Sequence, residues 1–241
     1  MKMDGRVAIV TGAASGMGKA ISNRLLKEGS KVIGFSLEET CNINDPNFIY
    51  YSGNVCILED CKKVVEKAIK TFGKIDCLVN SAGITREGTL ETTTLDTFKL
   101  TFEINVFGVF NMCKATIKEL KKHTSTIVNI SSDMSKQPLK ERISYNPSKA
   151  AVNMLTECIA LDYAPNIRAN TIMPGVVHTP MIEKRLHEAD NPEDLLNFYK
   201  SIYPLERIGT VDDITNAVLF LSTKESSWMT GGHLPICGGS L

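Results

Sequence analysis

The sequence of 241 residues has no excess of charge of either sign. Lysine plus arginine and aspartate plus glutamate each number 27, and no basic stripe or acidic tail is visible. Nucleic acids and anionic membrane surfaces attract clustered positive charge, so neither is expected as a partner. The composition therefore favours a protein that acts on small molecules.

Membrane spans and targeting signals are also missing from the sequence. No apolar run approaches the roughly 18 residues of a membrane-spanning helix. Residues 1–6 lead directly into an apolar run at 7–10, which leaves no room for a signal peptide. A cytoplasmic location is the resulting expectation.

The sequence has little that could form disulfides or bind a metal. Its seven cysteines are odd in number and scattered, which favours reduced thiols. Cys56 and Cys61 have the spacing of a ligand pair, but no second pair of cysteines or histidines follows, and the four histidines lie far apart. We therefore expect no metal site.

Short β-branched segments alternate along the chain with longer segments of helical periodicity. This pattern is typical of repeated βαβ units. It predicts an α/β fold, a Rossmann-type doubly wound parallel sheet of about seven strands, in a single domain over residues 1–241. Strands are predicted at 7–10, 31–35, 48–53, 77–80, 126–130, 168–172 and 233–236. Helices are predicted at 16–28, 58–72, 94–123, 145–163 and 211–222.

Residues 180–204 interrupt this alternation before the last predicted helix. They mix apolar and charged residues, and Asn191 followed by Pro192 is a typical helix start. The pattern predicts two short amphipathic helices. Because ligands of open α/β sheets bind beyond the carboxyl ends of the strands, this segment could be a substrate lid. An ordinary surface pair of helices would have the same amphipathic pattern.

A glycine-rich turn follows the first predicted strand and opens a helix. Gly12 would allow the tight turn, Gly16 would let the backbone approach a pyrophosphate, and Gly18 would permit close packing. The turn lacks the Lys-Ser/Thr ending with which a P-loop holds triphosphate and Mg²⁺. A dinucleotide is the predicted ligand.

Tyr145, Lys149 and Ser132 suggest a carbonyl or alcohol redox site. On a helix, positions i and i+4 share a face, so the Lys149 ammonium could lower the pKa of the Tyr145 phenol from its ordinary value of about 10. Ser132 could hold a substrate oxygen while Tyr145 transfers a proton. Taken alone the Tyr-Lys spacing is common, and a solvated surface pair is the alternative.

Together these motifs resemble the short-chain dehydrogenases/reductases of the classical type along essentially the whole chain. The motifs occur in the family's order: Thr11-Gly12-x-x-x-Gly16-x-Gly18, Asn80-Ser81-Ala82-Gly83, Asn105, Ser132, Tyr145-x-x-x-Lys149, Pro174-Gly175 and Thr179. The resemblance implies hydride transfer between a nicotinamide cofactor and a secondary alcohol or ketone. Hydroxysteroids, cyclic diols and polyols are the substrates considered.

The resemblance also implies roles for individual residues. The expected catalytic residues are Asn105, Ser132, Tyr145 and Lys149, with Asn105 holding a water that links Lys149 to solvent. Lys149 would bind the nicotinamide ribose. The expected cofactor-binding residues are Gly12, Ser15, Gly16, Met17, Gly18, Ser36, Asn54, Val55, Asn80, Ala82, Gly83, Tyr145, Lys149, Pro174, Gly175, Val177 and Thr179.

The end of the second predicted strand bears on the choice between NAD and NADP. Ser36 stands where an acidic residue would bind the ribose 2′-hydroxyl of NAD, and no basic residue follows for the 2′-phosphate of NADP. Glu38 and Glu39 would repel that phosphate, so NAD is favoured and NADP stays possible. Asn54 replaces the family's aspartate, and its carbonyl oxygen can still accept a bond from the adenine amino group.

Several expectations concern the surroundings of the site. The segment between the second and third strands is short enough for a helix to be missing there. Pocket-lining residues are expected at Met134, Glu141, Arg142, His178 and Met181.

A homotetramer or homodimer is expected by resemblance, through helices 94–123 and 145–163. Their apolar positions fit subunit contact and core packing equally well: Val109, Met112, Val152 and Leu155.

Two other functions stay open. One is a 3-oxoacyl-carrier-protein reductase, for which the absence of a basic residue suited to NADP is unfavourable. The other is a non-catalytic protein that senses a dinucleotide. The complete set of expected catalytic residues argues against the second.

Overall fold

Seven parallel strands form one sheet in the computed structural model, which describes residues 1–241. The strands are β1 (Val7–Thr11), β2 (Lys31–Ser36), β3 (Phe48–Ser52), β4 (Cys77–Asn80), β5 (Ser125–Ile130), β6 (Ile167–Pro174) and β7 (His233–Ile236). Their order across the sheet is β3-β2-β1-β4-β5-β6-β7. This confirms the predicted doubly wound sheet, whose chain order reverses between β1 and β4. Ligands of such sheets bind at that reversal, beyond the carboxyl ends of the strands.

Helices connect the strands. They are α1 (Gly16–Lys27), α2 (Leu58–Phe72), α3 (Leu95–Phe102), α4 (Gly108–Leu120), α5 (Tyr145–Tyr163), α6 (Pro180–His187), α7 (Pro192–Ser201) and α8 (Val211–Ser222). The predicted bounds of α2, α5 and α8 agree with the observed ones. None of the helices combines the length and the apolar character needed to cross a bilayer.

The prediction of a single continuous helix over 94–123 is wrong in the middle of that range. A π-helical segment, Glu103–Phe107, separates α3 from α4. The side chain of Asn105, which lies in this segment, both accepts a hydrogen bond from the Ile84 amide and donates one to the Ile84 carbonyl. Apolar periodicity does not distinguish a π-helical turn from an α-helical one, although such turns are frequent at functional sites.

Successive strand residues pack into two different cores. Ile9 and Ile33 lie in a core that α2, α4 and α5 cover, whereas Ala8 and Val10 face α1 and α8. This is the period-two alternation of a strand buried on both faces. The apolar positions that were expected to fit either a subunit contact or the core lie in the core. Val109, Met112 and Val152 are buried there, and Leu155 packs against them.

Two connecting segments lie near the carboxyl ends of the strands. Residues 37–47, between β2 and β3, contain no helix, as their length suggested. Residues 180–204 contain the two short helices that were predicted. Asn191 caps α7 by accepting hydrogen bonds from the amides of Glu193 and Asp194. The pair α6–α7 has a small core of its own around Val176 and Tyr203.

Candidate active site

The glycine-rich turn at residues 11–18 exposes its backbone at the point where the strand order reverses, between β1 and β4. Gly12 and Gly16 have positive φ angles of 68° and 52°. A β-carbon on Gly18 would lie 2.1 Å from the Gly12 carbonyl oxygen, so only glycine fits there. The first turn of α1 contains no acidic residue, and the Ser15 side chain makes no capping bond. Free amides and the positive end of the helix dipole suit a pyrophosphate.

Hydrogen bonds fix this turn against the end of β4. The Thr11 hydroxyl oxygen accepts bonds from the amides of Ser81 and Ala82, each at 3.0 Å. Behind them Asn80 is buried, and its side-chain amide donates to Asn129 Oδ1 of β5 at 2.8 Å. Asn80 therefore supports the sheet rather than lining the cleft above it.

A cavity of about 330 Å³, here called the cofactor cleft, runs from the glycine turn past the end of β2 to α5. Most of the expected cofactor-binding residues line it: Gly12, Ser15, Gly16, Met17, Gly18, Ser36, Asn54, Val55, Ala82, Gly83, Tyr145, Lys149 and Thr179. Gly175 and Val177 line the neighbouring cavity instead, and Pro174 is buried in β6. The bare glycine backbone at one end of the cleft suits the pyrophosphate of a dinucleotide.

Only two charged residues line the cofactor cleft, Glu38 near the end of β2 and Lys149 at the opposite end. Ser36 is buried beside Glu38. The Asn54 side-chain oxygen accepts a bond from the Cys56 amide at 2.9 Å, and an amide oxygen has a second lone pair for another donor. The end of the cleft near β2, where the adenosine of a dinucleotide would lie, is therefore polar and acidic.

A second cavity of about 920 Å³, here called the substrate cavity, lies under α6 and α7. Ser132 and Tyr145 line it, together with four of the residues expected there: Met134, Glu141, Arg142 and Met181. His178 does not line it and is exposed near Glu183, so that prediction is wrong. Val177 pairs with Gly209 in extended conformation, which turns the two neighbours of His178 inward and His178 outward.

Four residues line both cavities and so mark where they meet: Met17, Tyr145, Thr179 and Met181. Lys149 lines only the cofactor cleft, and Ser132 lines only the substrate cavity. Tyr145 is the one member of the expected catalytic set that faces both. Its phenol is thus placed between the two spaces.

Ser132 and Asp133 form a hydrogen-bonded unit at the end of β5. Ser132 Oγ donates to Asp133 Oδ1 at 3.2 Å and accepts from the Met134 amide at 3.2 Å. Ser240, near the C-terminus, donates to Asp133 Oδ2 at 2.8 Å. Burial raises the pKa of the Asp133 carboxyl above its ordinary value, and the hydrogen bonds offset only part of that increase. Sequence reasoning missed Asp133, although an acidic residue immediately after Ser132 and close to the end of a buried strand was a visible signal.

Tyr145 and Lys149 lie on the first turns of α5. The helix begins at Tyr145, so Pro147 lies in its first turn. Backbone N–H groups there have no partner within the helix, and proline, which has no N–H, is tolerated. Lys149 Nζ lies 5.7 Å from the centre of the Tyr145 ring and donates to the Ile130 carbonyl at 2.9 Å.

The pKa values of these two groups are displaced in opposite directions by burial. Burial lowers the pKa of Lys149 to about 8 and raises the pKa of Tyr145 to about 12. A hydrogen bond with the Ser132 side chain and the charge of Arg142 lower the pKa of Tyr145, and Asp133 raises it. The sequence predicts a lowered phenol pKa. The direction differs because burial outweighs the neighbouring charges, and the Lys149 ammonium bonds a carbonyl rather than the phenol.

Asn105 lies beside Lys149 across a glycine. A β-carbon on Gly83 would lie 3.1 Å from Asn105 Oδ1 and 3.4 Å from Lys149 Nζ, so the missing side chain lets them approach. Asn105 also donates to Ser148 Oγ at 3.0 Å. The structure thus brings the four expected catalytic residues into one region, and the water-holding role of Asn105 stays a prediction.

The chain is similar to known enzymes over nearly its whole length. A family model described as enoyl-(acyl carrier protein) reductase matches residues 12–240. The 3-oxoacyl-[acyl-carrier-protein] reductase FabG of Thermotoga maritima is 34% identical, over 99% of this chain and 99% of that protein. The 2-(R)-hydroxypropyl-CoM dehydrogenase of Xanthobacter autotrophicus is 35% identical, over 97% of each chain.

A solved structure extends the similarity to three dimensions. Ligand-free aldohexose dehydrogenase of Thermoplasma acidophilum superposes with a TM-score of 0.93 at 32% identity, covering 99% of this chain and 94% of that one. The sheet order, the glycine turn and the two adjoining cavities agree with these similarities. The chain therefore belongs to the short-chain dehydrogenase/reductase family and is a nicotinamide-dependent oxidoreductase.

Proposed function

We propose that the substrate is a secondary alcohol or ketone that binds in the substrate cavity, with Tyr145 as the acid and base. The observation that carries this proposal is the position of Tyr145, which lines both cavities. A nicotinamide dinucleotide, when bound, would supply the hydride in ketone reduction in its reduced form and accept it in alcohol oxidation in its oxidised form. Hydroxysteroids, cyclic diols and polyols are the classes of alcohol proposed first.

The side chains account for the proton transfer. In reduction, Tyr145 donates its phenolic proton to the carbonyl oxygen, and the Ser132 hydroxyl holds the same oxygen by turning from Asp133. The pKa of Lys149, about 8, keeps this side chain mostly protonated at neutral pH, and its charge stabilises the phenolate that forms. Asn105, beside Lys149, would hold the path by which a proton returns.

We propose NAD rather than NADP as the cofactor. Glu38 is the only charged residue at the adenosine end of the cleft, and buried Ser36 offers a hydroxyl but no charge. A 2′-phosphate there would meet negative charge without a cationic partner.

A 3-oxoacyl-carrier-protein reductase is the second candidate, because one relative of 34% identity carries that name. Turnover of a 3-oxoacyl thioester in preference to free ketones would favour it. A non-catalytic sensor is disfavoured, since the expected catalytic residues are complete and the relatives are enzymes.

We also propose that the protein works in the cytoplasm as a homodimer or homotetramer. Its seven cysteines are free thiols, which suits a reducing compartment. Large apolar side chains are exposed on α3, on α5 and around the start of α4: Leu100, Phe107, Phe110, Met154 and Leu161. Exposed apolar surface of this extent suits a subunit contact.

Changing Tyr145→Phe tests the catalytic role of the phenol. The variant should lose on the order of 10²- to 10⁴-fold in kcat, because the proton donor is gone while the ring remains. Dinucleotide affinity, measured by fluorescence titration, should change little. Tyr163→Phe, at the other end of α5, is the matched control and should keep full activity. Near-normal turnover by the Tyr145 variant would refute the mechanism.

Cofactor preference is measured by titrating NAD and NADP against thermal stability. We expect NAD to raise the melting temperature at lower concentration than NADP does. Replacing Glu38 by Gln should reduce the preference for NAD over NADP several-fold. This corresponds to a change in relative binding free energy on the order of 1 kcal/mol, as expected for one charge pair near the surface. Tighter binding of NADP to the unchanged protein would contradict the proposal.

The solution mass tests the oligomer. Light scattering should give a multiple of the 26.5 kDa chain. Replacing Phe110 by Glu, which puts a charge on the exposed apolar face, should shift the mass toward that of one chain. A monomer at micromolar concentration in the unchanged protein would refute the proposed assembly.

A further inference from the structure

Two arginines and one glutamate converge on the wall of the substrate cavity. Arg142 precedes the catalytic tyrosine by three residues, Arg185 lies on α6, and Glu87 lies in the loop after β4. All three line the cavity. The Glu87 oxygen Oε1 accepts a bond from Arg142 Nη2 at 2.7 Å and also pairs with Arg185 Nη1. One carboxylate therefore serves two guanidinium groups.

Backbone pairing sets Glu87 opposite Arg142. Gly88 and Arg142 form a parallel bridge, and the Gly88 amide donates to the Glu141 carbonyl at 2.9 Å. Glu141 has a φ of 58°, a left-handed conformation that is unfavourable for a residue with a side chain. The strained backbone at Glu141 leads directly into Arg142, which points to a functional reason for holding that side chain in place.

The positive charge on this wall exceeds what Glu87 can neutralise. The Arg142 side chain is only 10% exposed. Arg185 Nε is buried and has no hydrogen-bond partner. The cavity lining as a whole contains five basic residues and three acidic ones: Arg86, Lys140, Arg142, Lys184 and Arg185 against Glu87, Glu141 and Glu188. A buried cation and a buried unbonded donor are costly unless something pairs with them.

We propose that Arg142 and Arg185 bind an anionic group of the substrate, most simply a carboxylate. This inference rests on the proposed function and narrows it: the substrate is a secondary alcohol or ketone that carries an oxyanion away from the reacting carbon. Planar guanidinium groups bind such groups through paired hydrogen bonds. A substrate without an acceptor group at this wall would leave the buried Arg185 Nε without a hydrogen-bond partner.

Glu87 then has a second role as an internal competitor. Its carboxylate holds both arginines, and through Arg185 it ties α6 to the body of the protein. The substrate anion would join or replace Glu87 at the two guanidinium groups. Binding of the anion and the position of α6–α7 over the cavity are coupled in this arrangement.

The test compares hydroxy acids of increasing chain length with their methyl esters, which keep the hydroxyl and the carbon skeleton of the acid, add one methyl group and lose the charge. In the unchanged protein the best acid should have at least 10-fold higher kcat/KM than its ester. Arg142→Met and Arg185→Met should each lower kcat/KM for the acid by roughly 10- to 100-fold, mainly through KM, since a hydrogen bond between charged groups is lost. Arg185→Met should change kcat/KM for the ester less than about threefold. Arg142→Met also removes a charge that lowers the pKa of Tyr145, so it should slow the ester as well, and its loss for the acid should exceed its loss for the ester by roughly 10-fold.

Three further variants separate binding from structure. Arg142→Lys should recover only part of the acid activity, because an ammonium cannot make the paired bonds. Glu87→Gln should lower KM for the acid, since the competing carboxylate is removed. Lys200→Met, on α7 but outside the cavity lining, removes the same charge and should leave both substrates unaffected. Equal losses for acid and ester in the Arg142, Arg185 and Glu87 variants would overturn the inference and leave a structural ion pair.

The outcome is separable from failure of the proposed function. If esters and neutral ketones turn over as well as the acids, the enzyme class stands and the anion site is wrong. If no alcohol or ketone turns over, calorimetric titration of the same hydroxy acids into the protein with excess NAD still tests whether the arginines bind an anion. Binding that weakens at least 10-fold in Arg142→Met but not in Lys200→Met supports the site, and unchanged or absent binding overturns it.

Discussion

The contact between the ends of β1 and β4 is the constraint on which the rest of the site depends. Chain order reverses there, so neighbouring connections leave on opposite faces of the sheet and a crevice opens between them. The Thr11 hydroxyl bonds two amides of the following β4 segment, and Gly12 packs directly on Ala82. No side chain intrudes, because Gly12 and Gly18 have none. The dinucleotide site exists because backbone, rather than side chains, forms its floor.

Burial governs the chemistry next to that floor. It disfavours the phenolate of Tyr145 and the ammonium of Lys149 alike, which is why their pKa values lie near 12 and 8. Tyr145 is therefore protonated before reaction, as the proposed role of proton donor requires. The Ser132 hydroxyl and the Lys149 charge can lower the cost of the phenolate as it forms. The same desolvation strengthens the hydrogen bonds that hold a substrate oxygen.

The sequence predicts this fold well and the finer features of the site less well. Strands of β-branched residues and a glycine turn are local signals, and so are Tyr145 and Lys149 at helical spacing. The outward turn of His178 accompanies the pairing of Val177 with Gly209. The π-helical turn contains Asn105, whose side chain accepts a bond from the Ile84 amide and donates one to the Ile84 carbonyl. The ion pair of Glu87 with Arg142 joins residues 55 positions apart. Contacts of this kind have no periodic signature.

In the proposed mechanism Tyr145 and Ser132 hold the reacting oxygen where the two cavities meet. A crystal structure of the protein with NAD and an unreactive analogue of its best substrate tests it most directly. We expect the analogue's oxygen within hydrogen-bond distance of both Tyr145 Oη and Ser132 Oγ, with the rest of the molecule under α6 and α7. An analogue whose oxygen contacts neither hydroxyl, in a complex that turns over in solution with the true substrate, would contradict it.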